Sequence, residues 1–343
     1  MPHVNFLQGD ALDVLRTLPS KSVQCVVTSP PYYGLRDYGV EGQIGLEPTP
    51  DEYVARMVDV FREMRRVLRD DGTFWLNIGD CYARIGGTDR VPSATAKVGS
   101  TKAVMEAQPD RTRRTLWPGV KEKDRMMIPA RVALALQADG WWLRDEIVWH
   151  KPRTTPFPAN DRTVAAHEMV YLFAKSPRYF FDWAAIEEPS KYPGVVRQRR
   201  KAFRLHGAAK AAALADMDKT NAYGGRGGEE TVVRETRRAR SVWSINPQPY
   251  REAHFATMPL DLAERCIKAG TRRGDVVLDP FGGVGTTALA ATRLGRRAVL
   301  IELKTDYVNI ARNRLGRDFR ESLARLREAI RRNEEARNGR LEE

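Results

Sequence analysis

A chain of 343 residues can bury a substantial core, as one large domain or as one domain with a smaller appendage. Its formal net charge of +13 points to a polyanionic partner, and three scattered cysteines (Cys25, Cys81, Cys266) without a Cys-x-x-Cys pair argue against a disulfide framework and a zinc knuckle. No apolar run is long enough to span a bilayer and no signal peptide opens the chain, so a cytoplasmic protein without membrane contact is expected.

Val4 to Asp10 reads as a short strand ending in Gly9-Asp10, followed by an amphipathic helix from Ala11 to Leu18. Ser22 to Val27 is a second strand, mostly apolar and therefore central. It runs into Thr28-Ser-Pro-Pro-Tyr-Tyr33, where two prolines without an N–H force the chain to turn stiffly. Gly34 to Pro50 is a glycine- and proline-rich loop. Asp51 to Leu68 is an amphipathic helix with Asp51 as its cap and Tyr53, Met57, Phe61 and Met64 on its core face. Asp70-Asp-Gly72 then turns the chain into a strand from Thr73 to Asp80, with Asn77 and Asp80 as polar groups near its end.

Residues 82–123 are irregular and rich in Gly, Ser, Thr, Lys and Arg, which predicts a mobile basic loop. A helix over Met127 to Ala138, with Pro129 in its first turn, precedes strands at Trp141 to Trp149 and Ala165 to Ala174. His167 and Glu168 stand at the mouth of the second of these. No other His/Glu pair lies at ligand spacing, so no metal site is expected. Residues 191–240 hold 13 Lys or Arg against 5 Asp or Glu, a balance of 13 − 5 = +8, which is most of the chain's +13. Order resumes at Ser241 to Tyr250, then a helix runs from Leu260 to Ala269 with Gly270 at its end. The last elements are a strand at Val276 to Leu278, a helix from Thr286 to Leu294, a strand at Arg297 to Glu302 and a charged helix from Asp306 to Glu343.

Two stretches carry chemistry. Asp279-Pro-Phe-Gly-Gly-Val-Gly285 joins a buried strand to a helix through a loop with almost no side-chain bulk, the place where α/β folds hold nucleotide-like cofactors. The glycines depart from the spaced dinucleotide fingerprint, so the loop alone does not name the cofactor. Glu302 ends the next strand about 20 residues on, where a carboxylate can accept ribose hydroxyls. The other stretch is Ser29-Pro-Pro-Tyr32. It can be a rigid turn with a packed aromatic, but a Ser hydroxyl and a proline-fixed carbonyl can also accept hydrogen bonds from an exocyclic amino group, with the ring stacking on a heterocycle.

Ser29-Pro-Pro-Tyr32 early in the chain and Asp279 to Gly285 late resemble the β group of DNA amino-methyltransferases, over about Val4 to Ala311. The resemblance implies an α/β, Rossmann-like methyltransferase fold: a mostly parallel twisted sheet with helices on both faces, a circularly permuted motif order and a basic insertion. It implies S-adenosylmethionine as cofactor, no metal, and double-stranded DNA as substrate, with room for a homodimer and a cognate restriction endonuclease. Ser29, Pro30, Pro31 and Tyr32 would be catalytic, and Asp10, Asp279, Phe281, Gly282, Gly283, Gly285, Thr286 and Glu302 would bind the cofactor. His254, Phe255 and Pro259 are wall candidates, and His167 and Glu168 read as structural or DNA-proximal. The chain divides accordingly into a catalytic portion at 1–186 that includes the 82–123 loop, a target-recognition insertion at 187–240, a cofactor-binding portion at 241–316 and a C-terminal helix at 317–343. Ser before Pro-Pro-Tyr favours N4 of a flipped cytosine, with N6 of adenine as the alternative. An RNA or protein acceptor, or a catalytically silent DNA-binding protein, is the more distant reading.

Overall fold

The computed structural model describes residues 4–83, 120–154, 160–198, 230–248 and 257–339. Most of the expected basic loop, the centre of the expected insertion, and the candidates His254 and Phe255 lie outside the described residues. In chain order the amino-terminal elements are β1 (Val4–Gln8), α1 (Ala11–Thr17), β2 (Val23–Thr28), α2 (Pro50–Val67), β3 (Leu68–Ile78), α3 (Ile128–Ala138), β4 (Trp142–His150) and β5 (His167–Ala174). Four short strands come next: β6 (Glu188–Pro189), β7 (Val196–Gln198), β8 (Glu230–Val232) and β9 (Thr236–Arg237). The chain ends with β10 (Val242–Ser244), α4 (Leu260–Gly270), β11 (Val276–Asp279), α5 (Thr286–Arg293), β12 (Arg297–Glu302) and α6 (Thr305–Gly339).

Eight strands form one sheet in the order β1-β12-β11-β2-β3-β5-β4-β10. All neighbours are parallel except β3/β5 and β5/β4, so β5 alone runs against the rest. The sheet is covered on both faces, which is why its central strands are apolar rather than alternating. In β2 and β3 the side chains of Val26, Phe74, Leu76 and Ile78 join the cluster built from α1, α2 and α3. The intervening Cys25 and Thr73 pack against Gly270 of α4, where an added methyl would strike Thr73 Oγ1 at 2.4 Å and Cys25 Sγ at 2.9 Å. Period-two geometry thus sorts the residues of each strand between two helical layers.

Two local expectations change. Thr49, not Asp51, caps α2: its hydroxyl accepts from Glu52 N while Glu52 reaches back to Thr49 N, and Pro50 takes the first helical position. The Asp70-Asp-Gly72 segment is not a turn before the strand but part of β3, and a register shift against β2 between Val23 and Cys25 absorbs it.

The contacts divide the chain into two compact units, one of Met1–Asp182 with Arg240–Glu343 and one of Trp183–Ala239. The smaller unit contains two antiparallel pairs, β6/β9 and β7/β8. Within it Arg237 pairs with Glu188 at 3.3 Å, and the Arg238 guanidinium lies 4.7 Å from the centre of the Trp183 ring. Among the described residues no helix is long and apolar enough to cross a membrane.

Candidate active site

Because β5 is reversed, its first residues lie at the edge of the sheet where the seven other strands end. Every strand therefore delivers residues to one rim: Gly9 and Asp10 after β1, Ser29 to Tyr32 after β2, Asn77 from β3, Trp149 and Lys151 from the end of β4, Glu168 from β5, Pro247 after β10, Asp279 to Val284 with Thr286 and Thr287 from β11 onward, and Glu302 to Lys304 at the end of β12. All of them line one cavity of about 310 Å³, within the range of ~300–1,000 Å³ usual for small-molecule sites. The site lies at the carboxyl ends of the parallel strands, where α/β sheets place their ligands.

On the glycine-loop side, the three glycines have different tasks. An added methyl at Gly282 would strike Leu300 Cδ2 at 2.6 Å, and one at Gly285 would strike Ala311 Cβ at 2.9 Å, so both permit close packing. Gly283, at φ +48°, would meet nothing nearer than a carbonyl oxygen at 4.0 Å, leaving open space above its backbone. Glu302 accepts from Gly283 N at 2.8 Å through one oxygen and from Lys304 N at 2.8 Å through the other. Burial raises its pKa against those two donated bonds. Tyr38 and Tyr307 meet edge to face at 6.3 Å beside it.

Asp279 is fully engaged. It accepts from Thr28 Oγ1 at 2.6 Å, Thr287 Oγ1 at 2.7 Å and Phe281 N at 3.0 Å, tying β2, α5 and the loop together. Asp10 caps α1, accepting from Leu12 N at 2.9 Å and Asp13 N at 3.1 Å. Thr286 Oγ1 accepts from Arg314 at 2.8 Å.

Across the cavity, the Ser-Pro-Pro-Tyr turn is pinned from behind: the Tyr53 hydroxyl donates to the Pro31 carbonyl at 2.8 Å, and Tyr33 turns into the core. No hydrogen bond to the Pro30 carbonyl is present among the described residues. The Tyr32 ring lies against Gly79, where a methyl would come within 2.5 Å of it. Its hydroxyl donates to Glu168 Oε2 at 2.7 Å and accepts from Ser29 Oγ at 3.2 Å. Burial and the adjacent Glu168 hold the phenol well above its ordinary pKa, so it stays protonated.

Eleven of the twelve residues expected from the sequence line this cavity. Gly285 does not; it opens α5 at φ +79°. Pro259 is also absent from the lining, its place taken by Thr257 and Met258. Asn77 lines the cavity, whereas Asp80 accepts from Ile128 N at 3.0 Å and pairs with Arg125 at 2.7 Å. Lys151, Trp149 and Arg36 were missed. The signal for Lys151 and Trp149 was their place at the end of a strand followed by Pro152.

Comparison with known proteins decides the class. Residues 23–313 match the model of the DNA methylase family whose members act on N6 or N4. The chain belongs to this family. It is 44% identical over 308 residues to the Type II methyltransferase M.XycI of Xanthomonas campestris pv. cyanopsidis, covering 90% of this chain and 86% of that one. Against M.Cfr9I of Citrobacter freundii the identity is 42%, with the same shares covered. A DNA modification methylase of Thermus thermophilus, solved with S-adenosyl-L-methionine, superposes with a TM-score of 0.54 at 25% identity, over 92% of this chain and 93% of that one. The PvuII DNA methyltransferase (cytosine-N4-specific) has the same fold, with a TM-score of 0.57 at 20% identity over 91% and 86%.

As a DNA methylase the chain is an enzyme that takes its methyl group from S-adenosylmethionine. Its cavity suits that cofactor: backbone open to approach at Gly283, a carboxylate at Glu302 for hydroxyl groups, and the aromatic rings of Tyr38 and Tyr307 for a heterocycle. Among the described residues no group of three or more His, Cys, Asp or Glu side chains is placed to hold a metal ion.

Proposed function

We propose that this DNA methylase methylates the exocyclic N4 of a cytosine flipped out of double-stranded DNA. The observation that carries the reading is the shared cavity, with Ser29, the Pro30 carbonyl and Tyr32 on one side and Gly283 and Glu302 on the other. An exocyclic amino nitrogen is a poor nucleophile because its lone pair is delocalised into the ring. Ser29 Oγ and the Pro30 carbonyl accept its two N–H groups and draw the nitrogen towards tetrahedral geometry, freeing the lone pair. When bound, S-adenosylmethionine supplies a methyl group already activated on a sulfonium.

The chain's own residues align the reactants and exclude water. Tyr32 stacks on the extruded base and offsets part of the cost of unstacking, which is on the order of a few kcal/mol. Glu302 receives the ribose hydroxyls; Asp10, Phe281, Gly282, Gly283 and Thr286 shape the cofactor side. Asp279 and Gly285 hold the loop. Ser rather than Asp before Pro-Pro-Tyr favours cytosine over adenine in the family that the motif resembles. The insertion at 187–240, whose residues 191–240 carry 13 basic against 5 acidic side chains, is assigned to target recognition.

Incubation with labelled S-adenosylmethionine and plasmid DNA, followed by nucleoside analysis, tests the reading. Label is expected in N4-methylcytosine. Label in N6-methyladenine instead would reassign the base and leave the class intact. Ser29→Ala should lower turnover by roughly 100-fold or more with cofactor affinity kept. Glu302→Ala should chiefly weaken cofactor binding, read by calorimetry. Equal loss of both properties in each variant would overturn the two roles.

A further inference from the structure

We propose that Glu168, acting through the Tyr32 hydroxyl, fixes the direction of a hydrogen-bond chain that leaves Ser29 Oγ an acceptor for the target amino group. Glu168 is then a positioning residue for methyl transfer, and the proposal rests on the reading of Ser29 given above.

The direction comes from counting protons. An ionised carboxylate can only accept, while a phenol and a serine hydroxyl each have one proton to give. The Tyr32 hydroxyl lies 2.7 Å from Glu168 Oε2 and 3.4 Å from Asn77 Oδ1, so its proton goes to the glutamate. With that proton committed, the phenol oxygen can only accept from Ser29, 3.2 Å away. The Ser29 proton is thereby turned towards Tyr32, and its lone pairs face the cavity. A serine without this chain is a free rotor, as able to aim its proton at the substrate N–H as a lone pair.

Glu168 is built to stay an acceptor. Lys151 forms an ion pair with its other oxygen, and both side chains are largely removed from solvent. The Lys151 ammonium also lies 4.5 Å from the centre of the Trp149 ring, which holds it in place. Asn77, buried in β3, donates to Glu168 Oε2 at 3.1 Å and to the Met169 carbonyl at 3.2 Å, which fixes the amide orientation. Gly79 leaves the space that keeps the Tyr32 ring over this group. Three strands thus converge on a single carboxylate beside the reacting group.

The test uses the full-length enzyme, S-adenosylmethionine and the DNA that the wild type methylates. Glu168→Gln presents an amide that can donate to Tyr32 and reverse the chain. It should lower the single-turnover rate roughly 10- to 100-fold, with cofactor Kd and DNA KM within about twofold of wild type. In a Tyr32→Phe background the same change should cost less than about twofold, because the link through which it acts is gone. An unchanged rate for Glu168→Gln, or an equal loss in both backgrounds, would overturn the proposal.

Should Glu168→Gln fail to fold because Lys151 is left unpaired, Glu168→Gln with Lys151→Met removes the stranded charge. It is read in the same two backgrounds with the same expectations. Ser29→Ala separates this inference from the reading beneath it. A wild-type rate in Ser29→Ala removes the acceptor assignment itself. A rate lost in Ser29→Ala but kept in Glu168→Gln removes only the role of Glu168.

Discussion

At Asp279, burial and hydrogen bonding act in opposite directions. The carboxyl is fully buried between β2 and β11, which lifts its pKa from 3.8 to about 6, while bonds from Thr28, Thr287 and Phe281 N pull it down without winning. The folded carboxyl holds its proton more tightly than the unfolded one. Its contribution to stability is therefore complete below the unfolded value of 3.8 and is lost as pH rises through about 6. The amount is on the order of 3 kcal/mol across that window. Urea unfolding of wild type and Asp279→Asn between pH 4 and 7.5 should show the wild type's advantage shrinking as pH rises and levelling off above about 6.5. Parallel curves would mean that this carboxyl does not titrate in the window. At neutral pH the group is ionised, and its three bonds then hold the Gly282-Gly283 backbone where a cofactor can lie against it. The enzyme thus spends some stability near neutrality to brace the loop.

At the scale of elements, α2 shows why a cap is worth testing by substitution. Thr49-Pro-Asp-Glu52 contains both an acid inside the first turn and the Thr-x-x-Glu pair, and only the latter satisfies two backbone donors reciprocally. Thr49→Ala should cost about 1 kcal/mol and lower Tm by roughly 2–4 °C, with turnover unchanged. Asp51→Ala removes only an exposed pair with Arg131 at 3.2 Å and should stay within about 0.5 kcal/mol. The reverse order in thermal melts would restore Asp51 as the cap. The same contrast marks what could be read in advance. β2 and β11 are legible because an apolar run meets a chain-breaking residue, Pro30 or Pro280, and the loop after each strand lands in the site. Glu168 is not legible as a site residue. Alternation of side chains is the same in either direction along a strand, so nothing in Ala165 to Ala174 says that β5 runs opposite to β3 and brings its first residues to the rim. Asp70 to Gly72 misled for a related reason. Turn-forming residues mark a turn only when no neighbouring strand can take up an irregular register, and β2 does.

For the whole molecule, the eight-stranded sheet explains how one cavity can collect Gly9 and Glu302, from opposite ends of the chain: β1 and β12 are parallel neighbours, with Gln8 paired to Glu302. A scaffold of this kind positions the chemistry but does not by itself grip a duplex. Salt-sensitive affinity for DNA, without sequence preference, is what basic side chains supply. Residues 191–240 carry 13 basic against 5 acidic side chains, a net +8 of the chain's +13. Within the Trp183–Ala239 unit, Lys191, Arg234 and Arg238 are exposed. If they contact phosphates, each contact releases counterions, and log K for DNA falls against log salt with a slope of about −0.9 per contact. Replacing all three by Ala should therefore weaken DNA binding at low salt and make the slope shallower by up to about 2.7, as read by fluorescence anisotropy across a salt series. Exposed side chains of this kind contribute little to folding, so Tm and S-adenosylmethionine affinity should hold near wild type. An unchanged slope with unchanged affinity would take DNA contact away from these three side chains. Loss of cofactor affinity as well would mean that the substitutions had disturbed the catalytic sheet.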